Sequence, residues 1–208
     1  MSLDSGRRAA GLRLGGTYYH PQFQAHAVKV LLGRHAISDR PDVMMVTTLG
    51  SCVAACVHDP AAGVGGMNHF LLPDVPQSDA GSVDDAARYG AVAMEWLVNA
   101  VLLRGGRRSR LEVKVFGAAR VIASSADVGR RNADFVRTYV EREGLRLVGE
   151  DLGGNRARRI HFFPHSGRAL RRLLRPEALP QTVSREMHFL SDLSASPIEG
   201  EVELFAED

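Results

Sequence analysis

Apolar positions along this chain fall into short blocks, and their spacing shifts between period two and a period near 3.6. Ala25 to Leu32 alternates like a strand. Val43 to Val46 is a brief apolar run that leads through Thr47, Thr48, Leu49 and Gly50 to Ser51 and Cys52. Val53 to Val57 is apolar throughout and stops at His58-Asp59-Pro60, a turn signal, so a buried strand fits better than a helix. Gly63, Gly65 and Gly66 read as a turn ahead of Met67 to Leu72, a second strand-like run closed by Pro73. Two such runs joined by a short glycine-containing connection predict a hairpin that brings Cys52 and His69 together.

Helical spacing takes over afterwards. Ser82 and Asp85 match a capping box, and Tyr89, Val92, Trp96, Ala100 and Leu103 recur as on one helix face before Gly105-Gly106. Leu111 to Phe116 alternates as a strand. Phe135, Val136, Tyr139 and Val140 mark a second helix that stops at Gly144, and Leu145 to Val148 and Arg159 to Phe163 read as further strands. Ala169 to Leu174 fits either helix or strand. The first 16 residues, rich in Gly, Arg and Ser, read as a loose tail, leaving one mixed α/β domain over 17–208.

Composition changes this picture little. With 45% hydrophobic and 24% charged residues, a 208-residue chain can fill a core without metals or disulfides. A net charge of +2 gives no argument for nucleic acid. Arginines gather at Arg104, Arg107, Arg108 and Arg110 and again from Arg156 to Arg175; they suit a solvated face or a docking surface for an acidic partner. The N-terminus lacks a signal-peptide core and no stretch approaches the ~20 apolar residues of a membrane span, so a cytoplasmic protein is expected. Cys52 and Cys56 on one strand would lie about 13 Å apart, too far for a disulfide.

The candidate chemistry centres on one of those thiols. A free thiol has a pKa of about 8.5 and needs a base or an electropositive setting to act as a nucleophile. His69, on the neighbouring strand of the hairpin, is the suited base, and Thr47 or Thr48 could accept the other ring N–H and orient it. The turn at Gly50-Ser51-Cys52 could aim backbone N–H groups at a developing oxyanion. By spacing alone, a cysteine in an apolar run and a histidine beside Phe70 are ordinary core residues. Cys52, Cys56, His58 and His69 also form a rival metal set, though Cys-x3-Cys on an extended strand splays its ligands. Cys56, His161 and His165 read as structural. Gly63 to Gly66 and Gly153-Gly154 lack the Lys-Ser/Thr of a phosphate loop. No cofactor or metal is expected.

The block Thr47-Thr48-Leu49-Gly50-Ser51-Cys52-Val53-Ala54-Ala55-Cys56, followed by Gly65-Gly66-Met67-Asn68-His69-Phe70-Leu71-Leu72-Pro73, resembles the CheD family of bacterial chemoreceptor glutamine deamidases. The likeness continues through Arg88-Tyr89-Gly90, Lys114 to Gly117, Asn132 to Val136, Asp151 to Gly154 and His161 to Pro164, roughly residues 25 to 175. It implies an α/β sandwich of mixed sheets flanked by helices, with a catalytic Cys at Cys52, a His at His69 and a Thr at Thr47, Thr48 being the alternative. It also implies hydrolysis of glutamine side chains on the cytoplasmic helices of chemoreceptors, and association with a CheC-type phosphatase. A pure docking module and a thiol amidase acting on small molecules are the competing readings. Hydrolysis of methyl esters is left open.

Overall fold

The computed structural model describes residues 15–73, 80–121 and 126–175, together with Ser184, Glu186, His188, Phe189 and Ser191. Its strands are β1 (Gly15–His20), β2 (Ala25–Lys29), β3 (Arg34–Ser38), β4 (Val43–Leu49), β5 (Val53–Asp59), β6 (Val64–His69), β7 (Glu112–Gly117), β8 (Arg146–Leu152), β9 (Arg158–Phe163) and β10 (Arg168–Leu173). Helix α1 (Ala80–Leu103) follows β6, and α2 (Ala126–Arg142) follows β7.

The strands form two mixed five-stranded sheets, one ordered β1-β2-β4-β9-β10 and the other β3-β6-β5-β7-β8. Each holds a single parallel pair, β2 with β4 and β7 with β8; the other neighbours are antiparallel. The sheets stack face to face, and both helices cover the outer face of the second sheet, giving three layers. One core lies between the sheets, where Val28, Met45, Leu49, Cys52, Cys56, Met67, Leu71, Ile160 and Phe162 interdigitate. A second lies under the helices, built from Val53, Val57, Phe70, Met94, Leu97, Val101, Val113 and Val136. Strand β5 runs through the middle of the middle layer, so both of its faces meet apolar groups and every residue in it is buried. That explains its unbroken apolar run, where a strand with one wet face would alternate.

Several sequence expectations shift. The turn of the β5–β6 hairpin ends at Gly63, which has a φ of 61°. Gly65 and Gly66 lie inside strand β6 and pair with β5 and β3. They are glycines because of crowding: a Cβ on Gly65 would come within 2.7 Å of the Pro164 carbonyl, and one on Gly66 within 2.6 Å of Ile37. Helix α1 begins at Ala80, which puts Ser82 inside its first turn rather than at its cap. The stripe through Val92, Trp96 and Leu103 faces outward, Trp96 at 58% and Leu103 at 90% exposure; Ala86, Met94, Leu97, Val98 and Val101 form the buried face. A helix this apolar carries two competing stripes, and periodicity cannot choose between them. The ambiguous segment at 169–174 is strand β10, and β1 starts at Gly15, within the stretch read as a tail. The strand read at 25–32 ends at Lys29 as β2, and beyond a turn at Gly33 comes the unforeseen β3.

Candidate active site

The hairpin sets the site. Val53 and Phe70 exchange two backbone hydrogen bonds of 2.9 Å, so Cys52, just ahead of β5, sits diagonally across from His69 at the end of β6. Diagonal neighbours on an antiparallel pair lie within reach of long side chains. Here the His69 Nε2 lies 2.8 Å from the Cys52 Sγ. Thr47 comes from the facing sheet. It alternates in step with Met45 and Leu49 on the inner side of β4, where its Oγ1 lies 2.8 Å from the His69 Nδ1.

The proton inventory assigns one histidine tautomer. The Thr47 hydroxyl donates its one proton to the Val30 carbonyl, 2.9 Å away. Its oxygen can then only accept, so Nδ1 carries the ring hydrogen and Nε2 presents a lone pair to the thiol. Burial lowers the His69 pKa from 6.5 to about 4, so the ring is neutral near pH 7 and able to take a proton. Thr48 points elsewhere: its Oγ1 accepts from the Arg159 Nε at 3.4 Å. Strand β4 ends at Leu49 and the chain bends before Cys52, so the alternation that would put Thr48 on the face of Cys52 does not carry through.

The turn from Gly50 to Cys52 is held by its carbonyls. The Gly50 oxygen accepts from the Ala119 N–H at 2.7 Å, the Cys52 oxygen from the Ala118 N–H at 2.8 Å, and the Ser51 oxygen from the Asn132 Nδ2 at 3.2 Å. With its carbonyls tied back, the turn faces the Gly50 and Ser51 N–H groups into the site. Both donate to one carboxylate, that of Glu186, at 2.9 and 3.0 Å. The Ser51 hydroxyl adds a third bond at 2.6 Å, and the Cys52 Sγ lies 2.8 Å from the Glu186 Oε1. Glycine at 50 makes room for this, since a Cβ there would meet that oxygen at 2.7 Å. Burial pushes the Cys52 thiol well up, and the neighbouring Glu186 carboxylate pushes it further; the N–H groups of Gly50 and Cys52 pull the other way.

The other candidate residues lie apart. Cys56 packs between the sheets opposite Met67 and Lys114, and burial alone drives its thiol pKa far up. The His58 Nε2 contacts the His165 carbonyl at 3.1 Å, so the four residues of the metal reading do not converge. His161 lies beside Phe23 and His20, its pKa lowered to about 4 mainly by burial. Among the clustered arginines, Arg104 pairs with Asp39, Arg108 with Glu143, Arg110 with the buried Asp59, and Arg158 and Arg171 with Asp151.

Two site residues escaped the sequence reading. Asn132 is fully buried; it accepts from the Leu72 N–H at 2.9 Å and donates to the Ser51 carbonyl, tying the ends of both motif blocks to α2. It lies in a motif block already noted, but nothing there indicates its role. Glu186 lies far along the chain in a segment without motif character, and no local signal points to it.

A thiol, a neutral imidazole and a hydroxyl lie in one line beside two backbone N–H groups, the kinds of group that thiol-based acyl transfer uses. The chain belongs to the CheD family. The family described as CheD chemotactic sensory transduction matches residues 71–173. A probable chemoreceptor glutamine deamidase CheD from Rhodopseudomonas palustris is 47% identical over 90% of this chain and 88% of its own. A protein of the same description from Halorhodospira halophila is also 47% identical, with the same coverage. Among solved structures, a Neisseria meningitidis protein of family DUF152 overlaps 58% of this chain and 53% of its own at 12% identity, with a TM-score of 0.38. No described helix is long and apolar enough to cross a membrane.

Proposed function

We propose that this protein hydrolyses glutamine side chains of chemoreceptors to glutamate, with Cys52 as nucleophile, His69 as base and acid, and Thr47 as the group that orients the imidazole. The observation that carries the reading is the line from Thr47 Oγ1 through both ring nitrogens to Sγ, with 2.8 Å at each end. The names of the relatives supply the substrate class.

The steps follow from the proton positions. The Nε2 lone pair takes the thiol proton as Sγ bonds to the glutamine amide carbon. The amide oxygen becomes an oxyanion facing the Gly50 and Ser51 N–H groups. The His69 imidazolium then gives its proton to the departing nitrogen, the C–N bond breaks, and ammonia leaves a thioester. Water, deprotonated by the same nitrogen, attacks that carbon; the C–S bond breaks and the thiol is restored with glutamate as product.

In this reading the substrate is a receptor's cytoplasmic helix, the protein acts in the cytoplasm, and a CheC-type phosphatase is a natural partner. Incubation with a receptor fragment, followed by peptide mass analysis, tests it. Glutamines should gain the mass of an NH2-to-OH exchange, and Cys52→Ala should abolish the gain. Binding of receptor with no mass change in the parent protein would leave a docking module instead. Ammonia release from free glutamine at a matching rate would point to a small-molecule amidase.

A further inference from the structure

Glu186 is 3% exposed, and its carboxylate accepts from both the Gly50 and Ser51 N–H groups and from the Ser51 hydroxyl. Its oxygens sit on the Gly50 and Ser51 N–H groups, on the Ser51 hydroxyl and against the Cys52 Sγ. A glutamate side chain is the product of the reaction proposed above. It differs from the substrate by one NH2-to-oxygen exchange, so the group lying against the nucleophile is what a glutamine leaves behind.

The manner of its presentation also fits. Ser184, Glu186, His188, Phe189 and Ser191 are helical, so Glu186 and Phe189, three residues apart, share a face. Phe189 packs on the inter-sheet core, and its ring would lie 3.1 Å from a Cβ placed on Gly33. One helical face thus inserts a headgroup at the thiol and an aromatic anchor beside it. Cys52, at 0% exposure, is closed off beneath them. The thiol has one proton and two acceptors for it, Nε2 at 2.8 Å and Oε1 at 2.8 Å. A carboxylate at this spot also opposes the charge that thiolate formation would create.

We propose that Glu186 is a built-in product mimic: its carboxylate fills the subsite for the glutamine side chain and keeps Cys52 inaccessible while it sits there. The subsite assignment rests on the deamidase reading; the occlusion of Cys52 does not. The substitution Glu186→Gln would put a substrate amide in the same cradle. Sγ would bond to its Cδ, the Cδ–N bond would break with ammonia leaving on the His69 proton, and water would return a glutamate side chain and the free thiol.

Two measurements test this. The first is the rate of Cys52 alkylation by iodoacetamide, located by peptide mass analysis, in the parent and in Glu186→Ala. A closed site opened by the substitution should react about tenfold faster or more, because reactivity scales with the open fraction. Receptor-fragment deamidation should rise with it. Unchanged alkylation overturns the occlusion, whether or not the protein deamidates receptors. Faster alkylation with lost deamidation also overturns the proposal, because Glu186 would then belong to the catalytic apparatus. The second follows the introduced amide in purified Glu186→Gln, a nearly isosteric change that guards against a folding defect. Its conversion to a carboxylate, absent when Cys52→Ala is added, supports the subsite. If the introduced amide persists in a sample that still deamidates receptor, the mimic is wrong and the deamidase reading stands. If that amide and the receptor glutamines both persist while Glu186→Ala alkylates faster, the deamidase reading fails with the subsite, and the occlusion stands.

Discussion

The two cysteines are four residues apart, both buried on the face of the middle sheet that meets the other sheet. Burial raises both thiol pKa values, so burial does not distinguish them. What differs is the company. Cys52 stands where β5 begins, with an imidazole at 2.8 Å and the N–H groups of a turn around its sulfur. Cys56 stands inside the ladder, its backbone neighbours in register with Met67 and Lys114 and its sulfur among apolar groups. The difference lies in the ladder: where it ends, an imidazole and the N–H groups of a turn come to stand beside the buried thiol.

The largest expected effect separates the two sulfurs directly. Cys52→Ala should lower receptor deamidation by about 10⁴-fold or more, as loss of a nucleophile does elsewhere. Cys56→Ala should leave the rate within about twofold and lower unfolding stability by about 1–2 kcal/mol, the cost of a small cavity. Rates on a receptor fragment and denaturant midpoints give both numbers. Next in size, His69→Gln should cost about 10²–10⁴-fold in rate, the usual range for a general base, with little change in receptor affinity.

Acid should strain the Cys52 end through His69, in the same window as the equally shifted His161. The folded His69 has a pKa of about 4 against 6.5 for the free group, so above pH 6.5 neither folded nor unfolded chain binds the proton. As pH falls, the unfolded chain is protonated first, and stability is lost between pH 6.5 and about 4, then levels off. The loss attributable to this ring is about 3 kcal/mol. Denaturant midpoints at several pH values across that window measure it, and His69→Gln should flatten the curve by that amount. The smallest effect tests the orienting hydroxyl. Thr47→Val removes the hydroxyl facing Nδ1, a loss of about 1–3 kcal/mol, or roughly 5–150-fold in rate. Thr48→Val should be silent in the same assay.

Much of this was legible in the chain. The apolar run Val53 to Val57, closed by a turn, announces the buried strand, and the hairpin that follows puts Cys52 near His69. The choice between Thr47 and Thr48 was not legible, because it depends on where β4 ends and which side faces the opposing sheet. The buried face of α1 was hidden for a similar reason: an apolar helix offers more than one stripe, and only the sheet beneath it selects. Asn132 and Glu186 reach the site through long-range contacts, Glu186 across 134 residues to Cys52, and local spacing holds no record of such a meeting.

Thr47 belongs to one sheet, whereas Cys52 and His69 belong to the other. The thickness of the hydrophobic layer between them is therefore the gauge that sets the hydrogen bond at the Nδ1. Stacked sheets stand about 10 Å apart, a spacing set by the bulk of the side chains they share. Leu49, Ile160 and Phe162, fully or almost fully buried in that layer, are thus spacers for the Thr47–His69 hydrogen bond as well as core residues. Trimming one of them should therefore disturb that hydrogen bond as well as the packing of the core.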